Sequence, residues 1–168
     1  MPSIHISYYK KNGVEFILGS YENKLCLIDS LHRKNKTTLY NRLKKQLQVE
    51  FIEQEDEVLK QTAKELDVYF KGELKTFTVP LLFVGTPFQK SVWEALLTIP
   101  YGETSNYKKQ AKMIGNEKAV RAVANANGAN AISIIVPCHR IIGSDGTLTG
   151  YAGGLEMKQR LLELEKEK

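Results

Sequence analysis

At 168 residues, 42% hydrophobic and 26% charged, the chain has room for one domain or two small ones and enough apolar material for a real core, which excludes a disordered protein. No apolar run approaches the ~18 residues of a membrane span, and two cysteines, Cys26 and Cys138, without Cys-x-x-Cys spacing exclude a disulfide scaffold and fit a reducing cytoplasm. The net charge of +5 permits an acidic partner without requiring one.

In chain order, Met1-Pro2-Ser3-Ile4-His5 lacks a basic region followed by an apolar stretch, so no secretion signal is expected. Ile4-His5-Ile6-Ser7-Tyr8 alternates as a strand does. Val14–Gly19 follows a Lys-Asn-Gly turn, and Lys24–Ile28 follows Glu22-Asn23, which is hairpin punctuation between apolar runs. Helical spacing is weak over Lys36–Gln48 and clear over Val58–Phe70, where Leu59, Ala63, Leu66 and Phe70 share a face and Gly72 is placed to cap. From Thr76 to Pro87 the chain is extended and interrupted by Pro80, Gly85 and Pro87, and a domain boundary is placed there, dividing the chain into 1–80 and 81–168.

Downstream the pattern turns helical. Phe88, Val92, Ala95 and Leu96 make one face, stopped by Pro100 and Gly102. Ser105 or Asn106 can cap a helix from Tyr107 to Met113, and a second helix is read from Glu117 to Ala126 across the Gly115-Asn116 turn. Two short helices joined by a glycine-containing turn outline a helix-turn-helix, which can set its second helix in a DNA groove. Charge agrees with that use. Between Thr104 and Arg140, Lys108, Lys109, Lys112, Lys118, Arg121 and Arg140 stand against Glu117 alone, so this stretch carries the whole net charge and the remainder sums to neutral. A last helix runs from Leu155 towards the C-terminus.

Chemistry concentrates in Ile132–Gly143, where a thiol, an imidazole and a guanidinium interrupt an apolar run. Pro137 fixes its own backbone torsion and pushes Val136 to an extended conformation, so Cys138 sits on a stiff segment. Cysteine reacts as thiolate, and His139 and Arg140 are candidate activating groups, although adjacency in sequence is not contact in space.

Val136-Pro137-Cys138-His139-Arg140, followed by Gly150-Tyr151-Ala152-Gly153-Gly154-Leu155 and Leu161-Leu162-Glu163-Leu164-Glu165, resembles the active-site region of the O6-alkylguanine-DNA alkyltransferases, the methylated-DNA–protein-cysteine methyltransferases. The likeness covers Phe88 to Glu165; the first eighty or so residues match only in length and texture. It implies an α+β fold, with an N-terminal ribonuclease-H-like α/β domain of structural role and a winged-helix-like DNA-binding domain. It implies repair by direct reversal, one turnover per molecule, with Cys138 as acceptor of the alkyl group of O6-alkylguanine. O4-alkylthymine as a substrate and the preferred alkyl size stay open.

Carried over residue by residue, His139 is the base acting through a water and Glu165 the carboxylate that holds it, with Glu163 and Glu167 as neighbouring competitors. Tyr107 donates to the guanine ring, and Asn130 braces the turn before the active-site segment. Arg121 enters the duplex where the base has left, and Ala122, Ala124 and Asn127 complete the DNA-facing helix, with small neighbours including Ala126 allowing minor-groove approach. Val136, Pro137, Tyr151, Ala152 and Gly153 wall the pocket, Ala152 standing where some relatives have serine. No cofactor or metal is implied, since His5, Cys26 and His32 lack ligand-type spacing. The partner is duplex DNA bound as a monomer, with cooperative binding left open, in the cytoplasm and away from membranes. Three other readings make distinct demands: an alkyltransferase-like binding module would lack Cys138, a helix-turn-helix regulator would have no use for Pro-Cys-His-Arg, and a cysteine hydrolase would turn over repeatedly.

Overall fold

The computed structural model describes residues 2–166, and the chain divides into two compact units, Met1–Gly85 and Thr86–Lys168. The first is built on three consecutive antiparallel strands, β1 (Ile4–Lys11), β2 (Val14–Tyr21) and β3 (Lys24–Ser30). Their two turns place Asn12 and Gly13, then Glu22 and Asn23, at positive φ. Two consecutive left-handed residues match the twist of a hairpin, which is why Asn-Gly and Glu-Asn work there.

Helix α1 (Lys36–Leu47) then returns the chain to a short fourth strand, β4 (Phe51–Glu53), which pairs parallel to β1 and gives a sheet ordered β3-β2-β1-β4. At three residues, β4 is too short to alternate visibly, and the sequence reading does not contain it. Helix α2 (Glu57–Phe70) starts on Asp56, whose carboxylate accepts from Leu59 N at 2.8 Å. It ends in a Schellman arrangement, with Gly72 at φ 75° donating to Tyr69 O and Glu73 donating to Val68 O. Asp56 also takes Ser20 Oγ and His5 Nδ1, and Asp67 takes Tyr9 Oη at 2.6 Å, so α2 is tied to β1 and β2 by polar as well as apolar contact.

The boundary falls five residues after the expected cut at residue 80. Leu25 N donates to Pro80 O and Leu82 N to Leu25 O, both at 2.8 Å, so residues 80–82 belong to the edge of β3. Pro87, read as a breaker, is instead the first residue of α3 (Pro87–Leu96), where its missing N–H costs nothing. Thr86 and Gln89 form a reciprocal capping box ahead of the buried Val92, Trp93 and Leu96.

The second unit continues through α4 (Tyr107–Met113) and α5 (Val120–Gly128), then a 3-10 turn (Cys138–Arg140) and α6 (Leu155–Lys166). Asn106, rather than Ser105, caps α4 by accepting from Lys109 N at 2.8 Å. Helix α5 begins three residues later than the sequence suggests, because Ala119 N donates to Asn116 O and closes a turn over 116–119. Trp93 Nε1 donates to Ala126 O at 2.8 Å, fixing α5 on α3. No helix of the described residues is long and apolar enough to cross a membrane.

Candidate active site

The segment leading to Cys138 is folded against preference. Ile134, buried and β-branched, has φ 71°, a conformation such residues rarely adopt and which persists only where the surroundings enforce it. Asn130 does the enforcing. Its Oδ1 accepts from Ile132 N at 3.0 Å, and its Nδ2 donates to Val136 O at 2.9 Å and reaches Cys138 Sγ at 3.3 Å. At Pro137 (φ −84°, ψ 64°) Cys138 N donates back to Val136 O at 2.8 Å, an inverse γ-turn that sends the chain into the 3-10 turn. Cys138 is half-buried, and every flanking residue from Ile134 to Pro137 is buried.

His139 is fully buried, and its Nε2 lies 2.7 Å from Glu165 Oε2. A carboxylate can only accept, so Nε2 carries the proton and Nδ1 presents a lone pair. Nδ1 is buried with no hydrogen-bond partner among the described residues. Burial pushes the imidazole below its ordinary pKa, and the carboxylate opposes this only in part, so the ring stays neutral. Arg140 holds the same carboxylate, Nε to Oε1 at 2.8 Å and Nη2 to Oε2 at 3.1 Å, while Nη1 donates to Ile99 O at 2.6 Å and the guanidinium lies over the Tyr101 ring. Glu165 therefore sits between an imidazole and a guanidinium, itself buried. Glu163 is exposed and bonded to Gln159, and Glu167 lies outside the described residues.

One further charged residue enters the site without a motif to mark it. Lys158 lies on the buried stripe of α6 with Leu161 and Glu165, and is wholly inaccessible. Its Nζ donates to Thr149 O at 2.6 Å, burial lowers its pKa, and attraction to the Cys138 sulfur partly restores it. Its signal in the sequence is a lysine at a core position of a helix whose other core positions can be counted.

The remaining residues converge from the helical pair and the loop. Ser105 N donates to Arg140 O and Ile142 N to Ser105 O, which brings the start of α4 beside the Cys-His-Arg turn. Tyr107 is half-buried there, and Thr149 Oγ1 donates to its Oη at 3.4 Å. Tyr151, Ala152 and Gly153 are half-buried in the loop before α6, and a Cβ on Gly153 would come within 3.0 Å of the Tyr151 ring.

On α5, Arg121 and Ala122 are exposed and Ala124 half-exposed, and among the described residues Arg121 makes no hydrogen bond or ion pair. Contrary to the expectation of a DNA-facing side chain, Asn127 points inward, buried, and exchanges two amide hydrogen bonds with Gln110 of α4 at 2.8 and 2.7 Å, which ties the helical pair together. Ala126, buried at 3% exposure under Trp93, likewise belongs to the core. Among the described residues no three His, Cys, Asp or Glu side chains are grouped to hold a metal ion; His5 meets Asp56, His32 meets Glu15, and Cys26 is buried with its thiol pushed up to about 12.

Two family models span most of the chain: residues 7–83 match the ribonuclease-like domain, and residues 87–167 the DNA-binding domain, of 6-O-methylguanine DNA methyltransferase. An inducible methylated-DNA–protein-cysteine methyltransferase of Bacillus subtilis is 41% identical over 98% of this chain and 92% of its own length. A Methanosarcina acetivorans protein of the same name is 58% identical over 66% of this chain and 70% of its own. The crystal structure of Mycobacterium tuberculosis O6-methylguanine methyltransferase superposes with a TM-score of 0.82 at 40% identity, covering 98% of this chain and 93% of that one, and the same fit is found for M. tuberculosis OGT in complex with DNA (97% and 93%). The fold is thus α+β, a ribonuclease-like unit followed by a DNA-binding unit, and the chain belongs to the methylated-DNA–protein-cysteine methyltransferase family.

Proposed function

We propose that this protein repairs DNA by direct reversal, taking the alkyl group of O6-alkylguanine onto Cys138. The observation that carries the reading is the buried Glu165–His139 pair one residue from a half-buried thiol, with Nδ1 of the imidazole left as an acceptor. A water between Nδ1 and the thiol carries the thiol proton to the imidazole, and Glu165 stabilises the imidazolium that forms. The sulfur–carbon bond forms as the carbon–O6 bond breaks. Its electron pair passes to the base, which regains a proton. Tyr107 donates to the ring as that negative charge develops, where a fixed donor is worth most. Lys158 favours the thiolate by its charge and holds the Thr149 carbonyl, and with it the loop whose Tyr151, Ala152 and Gly153 wall the pocket alongside Val136 and Pro137.

The target atom lies inside a stacked duplex, so the nucleotide is extruded at a cost of a few kcal/mol. Arg121 fills the vacated space from the minor groove, and Ala122 and Ala124 let α5 approach closely. Lys108, Lys109, Lys112 and Lys118, all exposed, contact phosphates without reading sequence. The protein acts as a monomer in the cytoplasm and is consumed in one turnover, because a thioether has no easy leaving group.

Intact-protein mass after mixing with an oligonucleotide containing one O6-methylguanine tests this. The expected result is a gain of one methylene per chain, saturating at one and absent in Cys138→Ala. Unchanged mass with tight lesion binding would make the protein a damage-recognition module.

A further inference from the structure

The neutrality of the chain outside Thr104–Arg140 is a sum of unlike parts. From Ser30 to Val49 there are six cationic side chains, Arg33, Lys34, Lys36, Arg42, Lys44 and Lys45, and no carboxylate. This stretch is α1 and its lead-in, in the N-terminal unit. Arg33 is held by the buried Asp29 and Lys44 meets Glu50, but Lys34, Lys36 and Lys45 are exposed. Around them the outward surface of α1 carries Thr37, Thr38, Asn41 and Gln46, also exposed. Hydroxyls, amides and ammonium groups are the side chains that donate to phosphate oxygens.

The composition of the other helices makes this pointed. Helices α2, α3 and α6 each expose carboxylates, among them Glu57, Glu94 and Glu163. Only α1, α4 and α5 have none, and α4 and α5 are the pair assigned to DNA. Helix stability explains only the end of the pattern, where Lys44 and Lys45 in the last turn suit the helix dipole; it does not explain Lys34 and Lys36 at the start. The first turn of a helix favours acidic side chains, yet α1 begins at Lys36, has no acid in its first turn, and is entered through Lys34 and then Asn35 at φ 62° with no side-chain cap. A membrane surface is disfavoured too, since a helix lying in a bilayer interface presents apolar residues, and α1 keeps Leu39 and Leu43 buried and exposes no large hydrophobic residue.

We infer that α1 is a second phosphate-contacting surface, whose partner is the backbone of duplex DNA. The inference rests on the DNA-binding reading above and adds to it a contact made by the N-terminal unit. The contact is independent of sequence and of the lesion, so it raises affinity for undamaged and damaged duplex alike.

The test is the full chain carrying Lys34→Gln, Lys36→Gln and Lys45→Gln together, with affinity for an undamaged duplex measured across a salt series. Removing one ammonium–phosphate pair makes the slope of log affinity against log salt shallower by ~0.9. The expected result is a slope reduced by between one and three such steps and binding at low salt weakened by about tenfold or more. At saturating duplex, single-turnover transfer from an O6-methylguanine oligonucleotide stays at the parent rate and reports an intact site. The parallel variant Lys108→Gln, Lys109→Gln, Lys112→Gln separates the two levels of the argument. A parent-like slope for the α1 variant beside a reduced slope for the α4 variant overturns the inference and leaves DNA binding standing. Parent-like slopes for both overturn the DNA-binding reading with it.

Discussion

Lys158 is the residue whose burial most needs a reason. An ammonium group in a fully buried position is costly, and nothing in the packing of α6 requires one beside Leu161. Its two consequences are a charge near the Cys138 sulfur and a clamp on the Thr149 carbonyl at 2.6 Å. Lys158→Met keeps the apolar stem and removes both. The expected outcome is transfer to an O6-methylguanine oligonucleotide slowed by about tenfold or more, an effect of ~1.4 kcal/mol on the barrier, with the rise of rate with pH displaced to higher pH because the thiolate has lost its countercharge. A merely structural lysine would lower thermal stability without moving the pH profile. Glu165→Gln makes a different prediction. It leaves Arg140 buried against a neutral amide and His139 without its orienting carboxylate, so the second unit loses on the order of 3–5 kcal/mol and transfer falls in the molecules that remain folded; denaturant titration and single-turnover rates separate the two losses. Cys138 and His139 stood out as polar groups within an apolar run, whereas Glu165 was legible only through the family resemblance. Lys158 was left unread because the stripe of a helix assigns burial, and a lysine at a buried position is ordinarily discounted.

Among the elements, the α4–α5 pair is held by one reciprocal amide contact, Gln110 with Asn127. Asn127→Ala leaves the Gln110 amide buried and unsatisfied, which costs about 1–3 kcal/mol. The expected outcome is a lower Tm for the second unit with DNA affinity per folded molecule unchanged. Arg121→Ala, exposed on the opposite side of α5, should do the reverse: it leaves Tm alone, slows repair in duplex DNA, and spares transfer from a free alkylguanine base. Loss of affinity in a stably folded Asn127→Ala protein would return Asn127 to the DNA-facing surface. Features bounded by turn or cap residues were readable in advance: the hairpin turns at Asn12-Gly13 and Glu22-Asn23, α2 with its Gly72 cap, and the start of α6 after Gly154. Those set by contacts distant in sequence were not. β4 exists only because β1 offers it an edge, residues 80–82 are held by Leu25, and the face of Asn127 is chosen by Gln110 seventeen residues earlier.

For the whole molecule, the two units are expected to answer acid in opposite directions. In the second, His139 has a depressed pKa, so the unfolded chain binds a proton that the folded one refuses. Its stabilising effect is complete above the unfolded value near 6.5 and is lost as pH falls below it. In the first, Asp29 on β3 is pushed up to about 6, chiefly by burial, with Arg33 opposing. A raised carboxyl works the other way: ionised Asp29 destabilises the fold above pH 6, and that penalty is relieved as pH falls from 7 towards 4. Between pH 7 and 5 the relief amounts to about 1 kcal/mol. Asp56, Glu65 and Asp67 are held below their ordinary values, so their losses begin only under pH 4.5, outside this window. Amide hydrogen exchange at pH 7 and pH 5, corrected for intrinsic rates, resolves the units separately. The core amides of β2 and β3 should gain protection on acidification, while those around Arg140 and along α6 lose it. With Asp29→Asn the gain should disappear and the loss persist, since the carboxyl that titrates in the first unit is gone and His139 is untouched. If both units lose protection together in the parent protein, Asp29 is not the group that governs the first unit, and its burial beside Arg33 is then fully compensated by that pair.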